Sequence, residues 1–225
     1  MIKNISNLGD AALYCDFGSD VNKEINSKVI RYFKSIQKVN IDGINNLTPS
    51  YNKLIISFDL RVTNFSEIKN KIENLDITIQ HNKNNKKIEV PVCCEGNFAL
   101  DKNRLEKKLN LSYQEILTKF FDKEYFCYMT GFIAGMPFLG DIDENLRTQR
   151  LETPRVKVPQ GSVGITEQFA NIYTFDSPGV WNIIGNTPLK VFDDSKERDP
   201  NLINPGDTII FKKISQQEYE NSNDK

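Results

Sequence analysis

Hydrophobic and polar positions along the chain follow one period in the first third and another in the second half. LGDAALYCDFG, residues 8–18, has strand character between turn signals at Gly9–Asp10 and Gly18–Ser19–Asp20. Val21, Ile25, Val29, Tyr32, Phe33 and Ile36 then recur at helical spacing, which predicts an amphipathic helix capped by Ser19 or Asp20. Ile41 to Leu47 reads as a strand running into the Thr48–Pro49–Ser50 turn, and KLIISFDL, residues 53–60, as a buried strand. Asn64 or Ser66 is placed to cap a second helix carrying Phe65, Ile68, Ile72 and Leu75. LDITIQ, residues 75–80, closes the segment as a strand. The order β-α-β-β-α-β is that of a ferredoxin-like split βαβ unit.

The Asn/Lys-rich run over residues 81–87 reads as a linker or long loop. IEVPVCC resumes as a strand. Asp101 is placed to cap a short helix, NRLEKKL, and Ser112 to Glu115 form a capping box opening a helix to about Phe121. Two short helices in succession raise helix-turn-helix DNA binding, but Lys119 is the only basic residue on the second. A surface helical pair packed on the next domain is the better reading.

From Tyr125 the period shortens. EYFCYMTGF, VPQGSVGI, NIYTFD, WNIIGNT, LKVFD and DTIIFKKI are short runs rich in β-branched and aromatic residues, punctuated by Gly, Pro, Asn and Asp. That spacing predicts an all-β barrel or sandwich. The tail QQEYENSNDK reads as polar and frayed. The expected division is an α/β domain over 1–82, a β domain over 88–216 and a polar tail over 217–225, an α+β chain overall.

Charge narrows the partners. Lys+Arg 29 against Asp+Glu 30 leaves a net charge of −1, so no global field draws the chain to nucleic acid or to an anionic membrane. No apolar run approaches the roughly 20 residues of a membrane helix. The opening MIKNISNLGDAALYCDF lacks the basic-then-apolar order of a signal peptide, so a cytoplasmic location is expected. Cys15, Cys93, Cys94 and Cys127 form no C-x-x-C, and His81 is the only histidine. A His/Cys metal cluster is therefore not expected, and the thiols read as small core residues.

The glycine- and proline-rich stretches carry the candidate chemistry. GFIAGMPFLG, residues 131–140, has no G-K-[ST] and leads into no helix, so it is not a phosphate loop. It suits a loop whose backbone comes close to a ligand or another strand. Among Arg147, Arg150 and Arg155, an arginine beside a Pro-flanked strand is either part of a charge-balanced loop or a bidentate partner for a carboxylate or phosphate. Ser162 and Ser177 lie in glycine-rich turns, but no G-x-S-x-G elbow is present and no base accompanies them, which excludes a serine triad.

GFIAGMPFLGDID, TPRVKVPQGSVGI and DSPGVWNIIGNTPLKVFD, with NPGDTIIF behind them, resemble the family of the 5-oxoprolinase B-type subunit, the kinase inhibitor KipI and the first subunit of allophanate hydrolase. LGDAALYCDFG, TPSYNKLIISFD and IEVPVCC extend the resemblance over almost the whole chain. It implies an N-terminal α/β domain followed by a cyclophilin-like β-barrel. It also implies one component of an ATP-dependent 5-oxoprolinase, active with a sister subunit (C-type, KipA-like) and a lactamase-like A-type subunit, with ATP used at the level of the complex. The alternatives are a KipI-like inhibitor of a sensor histidine kinase and a carboxyltransferase-like subunit of a urea or allophanate pathway.

Gly135, Pro137, Arg155, Pro159, Gly161, Ser162, Gly164, Ser177, Pro178, Gly179 and Trp181 match the family motifs. On that resemblance Arg155 is the expected anion anchor, with the Gly161–Gly164 backbone and Trp181 as a close-approach wall. The glycines as plain turns and Trp181 as plain core remain the competing readings. Phe120 stands where the family commonly has a histidine, and Phe169, Ala170 and Asn171 replace its Gln-Thr-Gly. These changes remove hydrogen-bonding and proton-transfer groups. They leave open a diverged active subunit or a member kept for binding alone.

Overall fold

A computed structural model of the chain describes residues 2–77 and 85–223, which fall into two units divided between Asn85 and Lys86. The first contains β1 (Asn4–Asn7), β2 (Ala12–Asp16), α1 (Lys23–Val39), β3 (Ile44–Pro49), β4 (Lys53–Phe58) and α2 (Phe65–Glu73). Its four strands form an antiparallel sheet in the order β1-β2-β4-β3. Alternation puts Leu13, Cys15, Leu54 and Ile56 on one face, where they meet Val29, Ile36, Ile68 and Ile72 from the helices.

The unit departs from the sequence expectations at three places. The cap of α1 is Asn22, whose side chain accepts from the Ile25 N–H at 2.9 Å; Ser19 and Asp20 instead have their carbonyls held by the Asn52 side chain, so the helix begins only at Lys23. The strand Asn4–Asn7 leaves almost no sequence signal, because NISN carries a single buried apolar residue. Leu75–Ile77 form no strand, and the rest of LDITIQ, with His81 and most of the lysine-rich run, lies outside the described residues. The cap of α2 is Asn64, one of the two expected positions.

The second unit contains β5 (Lys87–Cys93), α3 (Lys102–Leu109), α4 (Tyr113–Phe121), β6 (Glu124–Thr130), β7 (Pro137–Gly140), β8 (Arg155–Val158), β9 (Ser162–Thr166) and β10 (Phe169–Ile172). After them come β11 (Ser177–Gly179), β12 (Asn182–Asn186), β13 (Thr208–Ile214) and α5 (Gln216–Asn223). Seven strands close into a barrel in the order β10-β7-β6-β13-β5-β12-β9, and β8 and β11 make a separate two-stranded ribbon. Closure pairs β13 with β5 in parallel, Thr208 opposite Lys87 through Ile214 opposite Cys93. All other barrel pairings are antiparallel.

Val90, Val92, Leu139, Val163, Ile165 and Ile184 belong to one core cluster with Ile116 and Phe120 of α4. The Phe120 ring stacks on Phe211 with centroids 4.8 Å apart and lies 5.2 Å from Tyr125. Ser112 and Glu115 form the expected capping box. LKVFD, by contrast, contributes only a bridge from Phe192 to Asn201.

The described part of the tail, Gln216–Asn223, is helical rather than frayed. Ser215 and Glu218 form a second capping box, Tyr219 donates to Asn186 Oδ1 at 2.8 Å, and its ring packs 4.4 Å from Phe98. No helix among the described residues is long and apolar enough to cross a membrane.

Candidate functional site

Strand β11 and the Val180–Trp181 segment after it, the turn between β6 and β7, and Arg150 and Pro154 ahead of β8 wall a cleft of about 400 Å³. Four aromatic side chains line it: Phe132, Phe138, Tyr173 and Trp181. The Phe138 and Trp181 rings meet edge to face at 5.6 Å. Met136, Pro154 and Pro178 complete the apolar surface, and Arg150, 59% exposed, is the one charged side chain on it among the described residues. Phe132 is 81% exposed and holds a left-handed backbone, φ 68°, a conformation costly for a side chain with a Cβ. An exposed phenyl in a strained turn beside an apolar cleft is a feature that functional surfaces collect.

The glycines let the walls close. A Cβ on Gly179 would fall 2.3 Å from the Tyr173 hydroxyl, and one on Gly164 would fall 3.0 Å from the Trp181 Cβ. Only glycine lets Tyr173 and Trp181 lie that near the backbone beneath them. The Tyr173 hydroxyl is approached by the Trp181 backbone N–H and the Asn171 side chain. Burial holds its pKa above the ordinary phenol value, with those groups and Arg155 opposing, so the phenol is protonated at neutral pH. Both polar atoms of the buried Asn171 side chain lack hydrogen-bond geometry to any partner.

Of the residues read from the sequence, Pro178, Gly179 and Trp181 line this cleft, with Gly164 directly behind the indole. Pro137 begins β7, beside Phe138. Ser177 opens β11 with its hydroxyl buried and unpaired. Gly161 and Ser162 lie elsewhere, packed against Asn186 and Thr187, following the buried Val158 and the exposed Pro159; Gly135 backs onto the Phe192 ring.

Arg155 is also turned away. Its Nη2 donates to the carboxylate of Asp101, and Nη1 faces the Trp181 carbonyl at 3.4 Å. Asp101 occupies the N-cap of α3 as the sequence places it, but its side chain makes no cap hydrogen bond; its other oxygen accepts from the Ile183 N–H at 2.6 Å. Arg150 is one of the three arginines the sequence offers as an anion partner, although the family motif singles out Arg155; Tyr173 carries no signal in the sequence, because cleft walls assembled across non-local strand pairs leave no spacing pattern. Phe120 and Phe169 are both buried, and neither is a wall of the cleft.

Among the described residues no group of three or more His, Cys, Asp or Glu side chains is placed to hold a metal ion. All four cysteines are free and buried.

Residues 3–203 match the family described as carboxyltransferase domain, subdomain C and D. The chain is 31% identical to the 5-oxoprolinase B subunit of Bacillus subtilis, covering 96% of this chain and 94% of that protein. It is 30% identical to the 5-oxoprolinase B subunit of Haemophilus influenzae, covering 92% and 96%. The solved structure of K. lactis urea amidolyase superposes with a TM-score of 0.79 at 18% identity, over 96% of this chain and 15% of that one, a likeness of fold alone. On the family match and on relatives aligned over nearly their full length, the chain belongs to the carboxyltransferase-domain family that includes the B subunits of 5-oxoprolinase.

Proposed function

We propose that this chain is the B-type subunit of an ATP-dependent 5-oxoprolinase of the cytoplasm, hydrolysing the lactam bond of 5-oxoproline to give glutamate. It works with a C-type, KipA-like sister and a lactamase-like A-type partner, and ATP is consumed at the level of the complex. The observation that carries the reading is the aromatic cleft with one arginine at its rim, in a chain aligned almost end to end with two subunits of that name. A small ring fits between aromatic faces, and a carboxylate on that ring is matched by a guanidinium. Arg150 takes the anion role that the family motif suggests for Arg155: its only carboxylate neighbour among the described ion pairs, Glu167, is 3.9 Å away with both side chains exposed, whereas Arg155 is in close contact with the buried Asp101. Pro178, Gly179 and Trp181 form the wall, with Gly164 behind it, and Tyr173 is the buried hydrogen-bonding group.

Phe120 and Phe169 do not line the cleft, and Asn171, replaced along with Phe169, lies behind the wall beside the Tyr173 hydroxyl, which favours a subunit that still binds its ligand. With neither a phosphate loop nor a nucleophile–base pair, the chain supplies a binding wall and its partners supply the rest. The architecture supports the same reading. The strands β2, β4 and β3 lie in the order of the first three strands of a ferredoxin-like unit, and the closed barrel suits a cyclophilin-like domain.

The test is 5-oxoproline-dependent ATP hydrolysis by the chain alone, by the three-component mixture, and by the partner subunits without it. Activity only in the full mixture is expected. Arg150→Gln in that mixture is expected to raise KM for 5-oxoproline about tenfold, the scale of a lost charge-assisted contact. Full activity without this chain would overturn the assignment, and capture of a sensor histidine kinase by a folded but inactive mixture would favour the KipI-like alternative.

A further inference from the structure

We propose that Asp101 is a positioning residue of this cleft: directly at Ile183 and through Arg155 at Trp181, it fixes the segment from Val180 to Ile183 that carries the indole. Asp101 stands at the head of α3, where an aspartate ordinarily turns its carboxylate to the first helical N–H groups. Here the side chain makes no such bond. It is 4% exposed, and both oxygens are engaged by other parts of the unit, one by the Arg155 guanidinium and one by the Ile183 N–H. Its own N–H returns to the Ile183 carbonyl at 3.0 Å. One residue thus joins three segments that are more than 25 positions apart from one another in sequence.

The segment it holds is tied at each residue. Leu151 N–H donates to the Val180 carbonyl at 2.7 Å, and Arg155 faces the Trp181 carbonyl. Arg104 Nε donates to Asn182 Oδ1 at 2.9 Å, and Asn182 Nδ2 donates to the Gln149 and Ile165 carbonyls. The indole is thereby held against Phe138. A guanidinium in close contact with a buried carboxylate presents little net charge at a distance, while the exposed Arg150–Glu167 pair at 3.9 Å is loose and screened, so a bound anion is met by Arg150 rather than drawn behind the wall to Arg155. Loss of the Asp101 charge would both loosen the wall and release a second cation.

The proposal rests on the reading of the cleft as the ligand site, but its first test does not. Trp181 is the only tryptophan in the chain, so its emission and its quenching by acrylamide report this wall alone. In the purified chain, Asp101→Asn is expected to shift the emission to the red and increase quenching. In the assembled complex the same variant is expected to raise KM for 5-oxoproline about tenfold while kcat stays within about twofold. Asp101→Asn combined with Arg155→Gln is expected to perturb emission and KM by less than the sum of the two single changes, because both break the one Asp101–Arg155 contact.

Arg155→Lys keeps the charge but loses the planar fork, and it gives the same readouts if Asp101→Asn does not fold. Unaltered emission and KM, with only a lower melting temperature, would show a plain scaffold contact and overturn the proposal. A complex without 5-oxoproline-dependent ATP hydrolysis would remove the functional reading, while the emission arm would still decide whether Asp101 sets the wall.

Discussion

Two kinds of side chain, thiols and a paired carboxylate, give the plainest predictions at the residue scale. Burial pushes Cys15 and Cys94 up to about 12 and raises Cys127 as well, so these groups stay as thiols at neutral pH. Native protein at pH 8 is expected to react with a thiol-disulfide reagent at none of these three positions, and urea-unfolded protein at all four cysteines. In the first unit the Lys53 ammonium beside Asp16 holds that carboxyl below the usual carboxylate range. A depressed folded pKa contributes stability that is present above the unfolded value and is lost as pH falls. The urea midpoints of the protein and of Asp16→Asn are therefore expected to differ at pH 7 and to converge below about pH 4.

The same scale shows where sequence reading stops. The sequence poses core and wall as alternatives for Trp181, but geometry does not separate them: the side chain is 7% exposed and also lines the cleft. Asp101 is the opposite case, since helix-cap spacing is visible in the chain while its pairing with residues 155 and 183 exists only once the barrel has closed.

Elements are legible in proportion to how local their signals are. The capping box opening α4 needs four consecutive residues and is plain in the sequence. The box at Ser215–Glu218 carries the same signal, but the surrounding polar composition hides it, since the docking of Tyr219 onto Phe98 and Asn186 is what holds α5 in place. Strand runs follow from apolar alternation, yet the ribbon of β8 and β11 joins residues about twenty apart, and neither strand alone implies the other. Helix α4 carries Phe120 into the barrel core, where its ring stacks on Phe211 and packs against Tyr125. Phe120→Ala is expected to cost about 3–5 kcal/mol by urea denaturation, the range for an emptied aromatic core site.

At the scale of the whole molecule, the two halves marked by the change in hydrophobic period are a sheet-and-helix unit and a barrel unit. The period reveals the strands, but not that the first and last barrel strands are partners, because a parallel pairing leaves no hairpin signal. That pairing makes β13 essential. A chain ending at residue 215 retains β13 and is expected to melt cooperatively at a lower temperature. One ending at residue 206 is expected to lose the near-ultraviolet circular dichroism of Trp181 altogether, because β5 and β6 would each face solvent along one edge.

The parallel closure has a consequence for synthesis. Lys87 waits for Thr208, 121 positions later, before its strand has its partner on that side. At ribosomal speeds of about 5–20 residues per second, that interval is roughly 6–24 s. During it the nascent chain carries a gapped sheet with two open edges, while the first unit has all its described strands to hand. The barrel can close only after β13 has left the ribosome, and its docking surfaces reach other components of a complex no earlier than that.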